Sequence, residues 1–171
     1  ARFAAVVCCL CLPLFAQATL VDIKPGNGSS NPIEFVEYNG LLFFSADNGT
    51  SGAELWKSDG TPGGTAMVLD INPGASPSSP ANLTVMGGSL YFTATDGTHG
   101  VELWKTGGTA GTTVMVADLA VGAGSSTPQF LTVFNNELYF SATNGIPTGV
   151  NAIGVELYKT DGTTITLVKD I

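Results

Sequence analysis

The sequence predicts an all-β fold, a β-propeller-like array of three four-stranded antiparallel blades with one extra strand near the N-terminus. Three observations predict it. The chain of 171 residues repeats itself about every 48 residues, its strand-like runs are apolar on both faces, and its turns carry Asn-Gly and Gly-Gly pairs that favour tight hairpins.

The repeat is visible in two phrases. An Asp follows an apolar run at Asp22, Asp70 and Asp118, each 48 residues after the last, and at Asp170, 52 residues further on. The second phrase reads ELWKSDGT at 54–61, ELWKTGGT at 102–109 and ELYKTDGT at 156–163. The third copy is longer because it carries an insertion near 146–153. A period of this length is typical of propeller blades and other repeat architectures.

The strand-like runs show how each repeat is packed. Those at 41–44, 90–92 and 138–140 are apolar at consecutive positions, as are Leu55 and Trp56. Successive side chains of a strand point to opposite faces, so such strands must be covered on both sides. Four-stranded blades that pack against each other cover both faces, and each buried side chain contributes about 1.5–3 kcal/mol. We therefore expect blades at about 24–71, 72–119 and 120–171, with the extra strand at 20–23.

The order of a Leu-Tyr-Phe strand, an Asx-Gly turn, Glu-Leu-Trp and Asp-Gly-Thr resembles the ELWxxDGT-repeat proteins over nearly all of the chain from Thr19 onward. The resemblance implies a secreted or surface-exposed bacterial protein with propeller-like repeats. It implies no defined chemistry and no functional residues. Two positions depart from the pattern: Gly107 replaces the Asp of Asp59 and Asp161, and Tyr158 replaces Trp.

Residues 1–18 have the composition of a secretory signal peptide: a basic Arg2, an apolar run to Phe15, and small residues at 16–18. A membrane anchor or a lipidated cysteine is the alternative. All three cysteines lie in this segment, so a mature chain from Thr19 would have neither disulfides nor thiolate ligands. We expect a secreted or cell-surface protein whose residues 19–171 form the repeat domain.

The charge balance excludes two classes of partner. The chain has 14 acidic and 6 basic residues, for a net charge of −8. Nucleic acids and anionic membranes attract basic surfaces, so we expect neither as a partner. Other proteins, surface glycans or further copies of the chain remain the expected partners.

The recurring acidic residues and the single histidine are the candidates for a site. His99 lies at a turn position that is Ser51 in the preceding copy, and no nucleophile is singled out beside it. The repeated Asp residues are 48 or more residues apart without a compact calcium loop, and they are expected to close strand ends. One Glu per repeat, at Glu54, Glu102 and Glu156, indicates repeat structure more than a glycosidase pair. We expect no catalytic residue, metal or cofactor, and the sequence identifies no binding residue.

Loops at 25–31, 73–79 and 121–127, with the turns at Asn48, Asp96 and Asn144, are expected to share one rim of the array, and such loops commonly carry binding. The sequence thus favours a non-enzymatic extracellular scaffold that binds proteins. Two alternatives remain open: a filament subunit joined by donation of the strand at 20–23, and a carbohydrate-binding propeller. Because three blades should not close a ring, the sequence also suggests a fragment of a larger propeller.

Overall fold

The computed structural model describes residues 21–146, 152 and 154–170. The signal peptide predicted at 1–18, including its cysteines, lies outside the described residues. The described residues form twelve strands and one short 3-10 helix at Ala110–Thr112. In chain order the strands are β1 Ile33–Tyr38, β2 Leu41–Asp47, β3 Ala53–Ser58, β4 Ala66–Leu69, β5 Ala81–Met86, β6 Ser89–Ala94, β7 Glu102–Thr106, β8 Val114–Ala117, β9 Gln129–Phe134, β10 Glu137–Ala142, β11 Glu156–Thr160 and β12 Ile165–Lys169.

The strands form three antiparallel sheets of four, each in sequence order: sheet 1 from β1–β4, sheet 2 from β5–β8 and sheet 3 from β9–β12. The first hairpin of each sheet turns at residues in the left-handed region, Asn39-Gly40, Gly87-Gly88 and Asn135-Asn136, as tight two-residue turns require. The expected all-β class and the three four-stranded antiparallel sheets are confirmed. The sheets do not close on themselves into a ring.

The first strands of the three sheets lie beside one another, β1 next to β5 and β5 next to β9. Each contains a residue with positive φ one position after its start: Glu34 at 61°, Asn82 at 58° and Phe130 at 57°. The register of β1, β5 and β9 shifts against the second strand at this point. A recurring bulge therefore bends each first strand, as bulges do at the edges of sheets.

Successive sheets pack face to face, which produces two apolar layers. We call the face that a sheet turns to the next sheet its leading face, and the face that it turns to the preceding sheet its receiving face. Between sheets 1 and 2, Phe43 and Leu55 pack with Leu90, Phe92 and Trp104. Between sheets 2 and 3 the layer has the equivalent composition, with Tyr91, Leu103, Leu138, Phe140 and Tyr158. Adjacent residues of the repeated Leu-Trp or Leu-Tyr pair thus belong to different layers.

The extra strand expected at 20–23 is not formed over its described part. Val21 and Ile23 have no strand conformation and instead line a groove against Phe35 and Phe44 on the receiving face of sheet 1. A strand needs a neighbouring edge to pair with, and β12 already occupies the place beside β11 in sheet 3. The segment therefore packs by its apolar side chains; Leu20 lies outside the described residues.

Candidate functional site

The loops expected to share a rim are tied to one another by backbone hydrogen bonds. The loop before each sheet accepts a hydrogen bond at the end of that sheet's second strand: Asp47 to Ser30 at 2.9 Å in sheet 1 and Thr95 to Ser78 at 3.1 Å in sheet 2. The sheet-3 equivalent, Thr143, donates to the Ser126 carbonyl at 3.0 Å. The three connecting loops, the β2–β3 and β6–β7 turns and the described start of the β10–β11 turn therefore lie on one side of the array.

Glu54 and Glu102 are fully buried and hold the loop that leaves each sheet. Glu54 accepts hydrogen bonds from the backbone of Ile71 (3.0 Å) and of Ser78 (2.8 Å), and from the Ser78 hydroxyl (2.5 Å). Burial raises the pKa of Glu54, although the hydrogen bonds from Ser78 and Ile71 oppose the shift. Glu102 makes the equivalent contacts with the backbone of Leu119 and with Ser126. These two carboxylates therefore fasten loops to strands.

Two of the recurring Asp residues close the ends of strands. Asp118 accepts a hydrogen bond from the Gly122 backbone at 2.9 Å, and Asp70 accepts one from Gly74 at 3.4 Å. In both residues the second carboxylate oxygen, Oδ1, is buried without a hydrogen-bond partner. Across residues 21–146 and the described part of 152–170, no group of three His, Cys, Asp or Glu side chains could hold a metal ion.

His99 lies in the β6–β7 turn on the rim, and its ring contacts are those of a turn residue. Its Nδ1 is 2.8 Å from Asp96 Oδ2 and 3.2 Å from the Thr98 hydroxyl, while its Nε2 is 3.9 Å from Asp118 Oδ2. A catalytic triad needs the orienting carboxylate on one ring nitrogen and the nucleophile on the other. Here the carboxylate and the hydroxyl share one nitrogen and the other faces a second carboxylate, so this geometry does not activate a nucleophile.

The electrostatics of the same turn favour a charged pair. Burial raises the pKa of Asp96, but the hydrogen bonds from His99 and Thr98 outweigh this effect and hold that pKa well below its ordinary value. The hydrogen bond with Asp96 raises the pKa of His99. The protonated imidazole and the carboxylate therefore stabilise each other within one exposed turn.

The Asp-Gly-Thr phrase forms a second kind of turn, on the side of each sheet where strands three and four meet. Asp59 accepts hydrogen bonds from the Thr61 backbone and hydroxyl, at 2.9 and 2.7 Å. The same bonds to Thr163 lower the pKa of Asp161 to about 2. In sheet 2, where Gly107 lacks the carboxylate, the Thr112 hydroxyl oxygen accepts the equivalent hydrogen bond from the Thr109 backbone at 3.2 Å. The departure from the repeat pattern is therefore compensated by another oxygen.

The repeated Lys makes the contact that sequence reasoning missed. Lys57 donates from Nζ to the backbone carbonyl of Gly108 in the next sheet at 2.8 Å, and Lys105 donates likewise to Gly162 at 2.6 Å. In sheet 3 the equivalent Lys159 contacts Glu137 of its own sheet at 2.9 Å. The lysine and the turn glycine recur in every copy, and this shared recurrence is the signal that could have paired them.

Within the described part of the chain, no other sheet covers the two outer faces of the array. Leu157, on the leading face of sheet 3, is 38% exposed, while the equivalent Leu55 and Leu103 are fully buried. On the receiving face of sheet 1, Leu42 is 42% exposed, while the equivalent Leu90 is fully buried. A groove of about 230 Å³ lies on this second face, lined by Val21, Ile23, Ser30, Pro32, Phe35, Leu42, Phe44, Ser58 and Thr65.

Comparison with known proteins adds a structural likeness. No protein-family model matches the sequence, and no curated protein matches it. Among solved structures, the chain is similar to an alpha-L-arabinofuranosidase from Clostridium thermocellum, with 20% sequence identity and a TM-score of 0.37. The match covers 81% of this chain and 50% of the enzyme chain, so this chain spans half the length of that protein.

Within the described residues, no helix has the length and apolar composition needed to cross a membrane.

Proposed function

We propose that this chain is a non-enzymatic, extracellular or cell-surface repeat module of the propeller type, which serves as a scaffold for binding other proteins. The observation that carries the proposal is the use of the recurring charged groups. Glu54 and Glu102 fasten loops to strands, and Lys57 and Lys105 fasten sheet to sheet. These groups build a rigid support and leave the rim loops as the variable surface.

The rim is more similar to a set of binding loops, in which Gly, Ser and Asn supply adaptable hydrogen bonds, than to a reaction centre. Its loops are rich in Gly, Ser, Thr and Asn, and its histidine is engaged within its own turn. The resemblance to ELWxxDGT-repeat proteins supports the same compartment and the same scaffold role. The arabinofuranosidase likeness does not alter the proposal, because it is too distant to carry an activity.

The binding proposal is tested by photo-crosslinking on the surface of the producing cell. A photoreactive residue replaces the exposed Thr50 or Thr98 on the rim and, as matched controls, the exposed Pro62 or Ala110 on the opposite side. We expect a discrete crosslinked protein from the rim positions alone. Equal crosslinking from the control positions, or none from the rim, would contradict the proposal.

Two further measurements separate the scaffold from its alternatives. A panel of glycosidase and esterase substrates, including arabinofuranosides, is expected to show no turnover that co-purifies with the chain. N-terminal sequencing of the secreted protein is expected to begin at Thr19. Turnover that is lost on a single substitution, or an intact segment 1–18, would overturn the corresponding part of the proposal.

A carbohydrate-binding role is the second candidate, and one observation favours it. Phe130 is 77% exposed on the first strand of sheet 3, where it is held at positive φ, an unusual arrangement for an aromatic residue. Exposed aromatic rings are the usual platforms for sugars. A glycan array probed with the full chain and with Phe130→Ala tests it: glycan binding that the substitution removes would favour this role over protein binding.

A further inference from the structure

The leading face of sheet 3 and the receiving face of sheet 1 carry the same kinds of residue that meet where neighbouring sheets of the array pack together. The leading face of sheet 3 carries Phe134, Tyr139, Leu157 and Lys159, at the positions that Tyr38, Phe43, Leu55 and Lys57 occupy in sheet 1. The receiving face of sheet 1 carries Phe35, Leu42, Trp56 and Gly60, at the positions of Leu83, Leu90, Trp104 and Gly108 in sheet 2.

We propose that the leading face of sheet 3 docks on the receiving face of sheet 1 in a second copy of this chain, repeating head to tail the contact between its own sheets. The partner is a second copy because both halves of the contact are on the same chain. The inference goes beyond the proposed function and does not depend on what the rim binds.

The turn glycine gives the contact a specific geometry. Gly108 and Gly162 are buried, and a Cβ added to either would meet an aromatic side chain of the preceding sheet: the Phe43 ring at 3.2 Å and the Tyr91 hydroxyl at 2.3 Å. Gly60 has the same positive φ and is exposed, with nothing within 4 Å of such a Cβ. The place where a ring and a lysine from a preceding sheet would lie is therefore open.

In a docked pair, Tyr139 would lie over Gly60 of the second copy, and Lys159 would donate to its carbonyl oxygen. This is the bond that Lys57 makes to Gly108 and Lys105 makes to Gly162. Leu157 would be covered as Leu55 and Leu103 are, and Leu42 as Leu90 is. Apolar surface that is open at both ends of the array would then be removed from water, which provides the driving force.

Glu137 acts as a cap on the leading face while it is open. Its carboxylate accepts hydrogen bonds from Lys159 at 2.9 Å and from the Tyr139 hydroxyl at 3.1 Å. The equivalent positions in the other sheets are Leu41 and Ser89, which cannot hold a lysine in this way. Docking requires Lys159 to leave Glu137, so the cap weakens association and replacing it with the Ser of sheet 2 should strengthen association.

Docking also has a consequence for the segment before sheet 1. Val21 and Ile23 lie against the receiving face, at the repeat positions of Leu69 and Ile71. The partner's Lys169 and Asp170 occupy the same repeat positions as Val21 and Asp22, so this segment must yield its place to the end of the partner's β12. Contact by packed faces differs from strand donation, for which the place beside β11 is already filled by β12.

The number of sheets limits the product. Two copies of the described array contribute six sheets, which lies within the range of four to eight blades over which propellers close. A head-to-tail contact forms a ring if its rotation closes and an open polymer if it does not. Both products repeat the same contact between sheets.

The test uses two blocking variants of the full chain, Leu42→Arg on the receiving face and Leu157→Arg on the leading face, with molar mass measured by light scattering over a concentration series. The wild type should be a dimer or a longer head-to-tail polymer. Each variant alone should be a monomer, because it lacks one half of the contact. A mixture of the two should form a one-to-one dimer, because each supplies the half that the other lacks.

Other results contradict the proposal. A wild type that is monomeric at every concentration overturns it, and so does an Leu42→Arg variant that associates alone, since that indicates a contact of like faces. Near-ultraviolet circular dichroism confirms that each variant is folded. Lys159→Ala, a milder change of the same face, must also weaken association, and Glu137→Ser must strengthen it; a wild-type affinity in both variants would overturn the proposed contact.

Discussion

Trp56 and Trp104 occupy the same position of the repeat in sheets with different neighbours. Trp104 is 8% exposed in the layer between sheets 1 and 2, and its Nε1 donates to the Ala94 carbonyl at 3.0 Å. Trp56 is half-buried on the open receiving face of sheet 1, and its Nε1 is buried without a hydrogen-bond partner in the described structure. The same residue is thus fully accommodated only where a preceding sheet covers it.

The exposed fraction of the Leu beside each Trp or Tyr changes in the opposite direction along the array. Leu55 and Leu103 are fully buried because a following sheet covers them, whereas Leu157 is 38% exposed. Each sheet therefore turns the Leu of the pair toward the next sheet and the Trp or Tyr toward the preceding sheet. The repeated phrase specifies the contact between neighbouring sheets. Residues at equivalent positions therefore contribute differently to the stability of the fold, according to their place in the array.

The largest expected difference in the free energy of unfolding is between Leu103→Ala and Leu157→Ala. Removing a fully buried Leu side chain leaves a cavity and should lower the free energy of unfolding by about 2–5 kcal/mol. In the undocked chain, replacing the partly exposed Leu157 should cost less than about 1 kcal/mol, because water already reaches its side chain there. Urea denaturation of both variants measures the difference. Equal losses would show that the outer face is as well packed as the inner layer.

The next effect concerns the buried carboxylates. Glu102→Ala leaves the backbone N–H groups of Leu119 and Ser126 and the Ser126 hydroxyl without their acceptor. We expect a loss of about 3 kcal/mol in the free energy of unfolding, since each unsatisfied buried donor is costly. Asp59→Gly is the control: its carboxylate lies in an exposed turn, so its removal should lower the free energy of unfolding by less than the Glu102→Ala substitution does. A Glu102→Ala variant as stable as this control would mean that the loop finds other acceptors.

A smaller effect is expected from the lysines. Lys57→Met removes the hydrogen bond to the Gly108 carbonyl across the sheet 1–sheet 2 contact and keeps most of the aliphatic stem. The loss should be about 1 kcal/mol, the net value of one hydrogen bond. Lys159→Met, which breaks only a partly exposed pair with Glu137, should lose less, and more of its effect should disappear in high salt. Equal, salt-independent losses would remove the distinction between the inner and outer lysines.

The sequence predicted the sheets well because strand and turn signals are local. The apolar runs at 90–92 and 138–140 lie within β6 and β10, and the Gly-Gly turn before β6 has the positive φ that a tight hairpin requires. The opposite burial of Leu103 and Trp104 followed from strand alternation. These features need only the period of a strand and the demand that both faces be covered.

The contacts that the sequence did not predict depend on how neighbouring sheets are placed. Lys57 and Gly108 are 51 residues apart, and only the geometry of packed sheets brings them together. The segment at 20–23 has the composition of a fourth strand, yet the described Val21–Ile23 is not paired, because pairing requires an edge that composition cannot supply. Glu137 has no equivalent in the other copies, so repetition gave no indication of its bond to Lys159.

The smallest predicted effect concerns His99, whose position in sheet 1 is Ser51 and whose turn can be compared with that one. Because the hydrogen bond with Asp96 raises the pKa of His99, its protonated form stabilises the fold at pH values below the ordinary histidine pKa of about 6.5. This contribution is lost as the pH rises through the raised pKa, since the native state then releases the proton that it bound more tightly than the unfolded chain.

His99 is the single histidine, so its ring signals in a proton NMR titration are unambiguous. We expect a midpoint above 6.5 in the wild type and a lower midpoint in Asp96→Asn. His99→Ser, which reproduces the turn of sheet 1, should have a lower melting temperature than the wild type at acidic pH and an equal one at alkaline pH. A wild-type midpoint at or below 6.5 would show that Asp96 closes the turn through its backbone bonds alone.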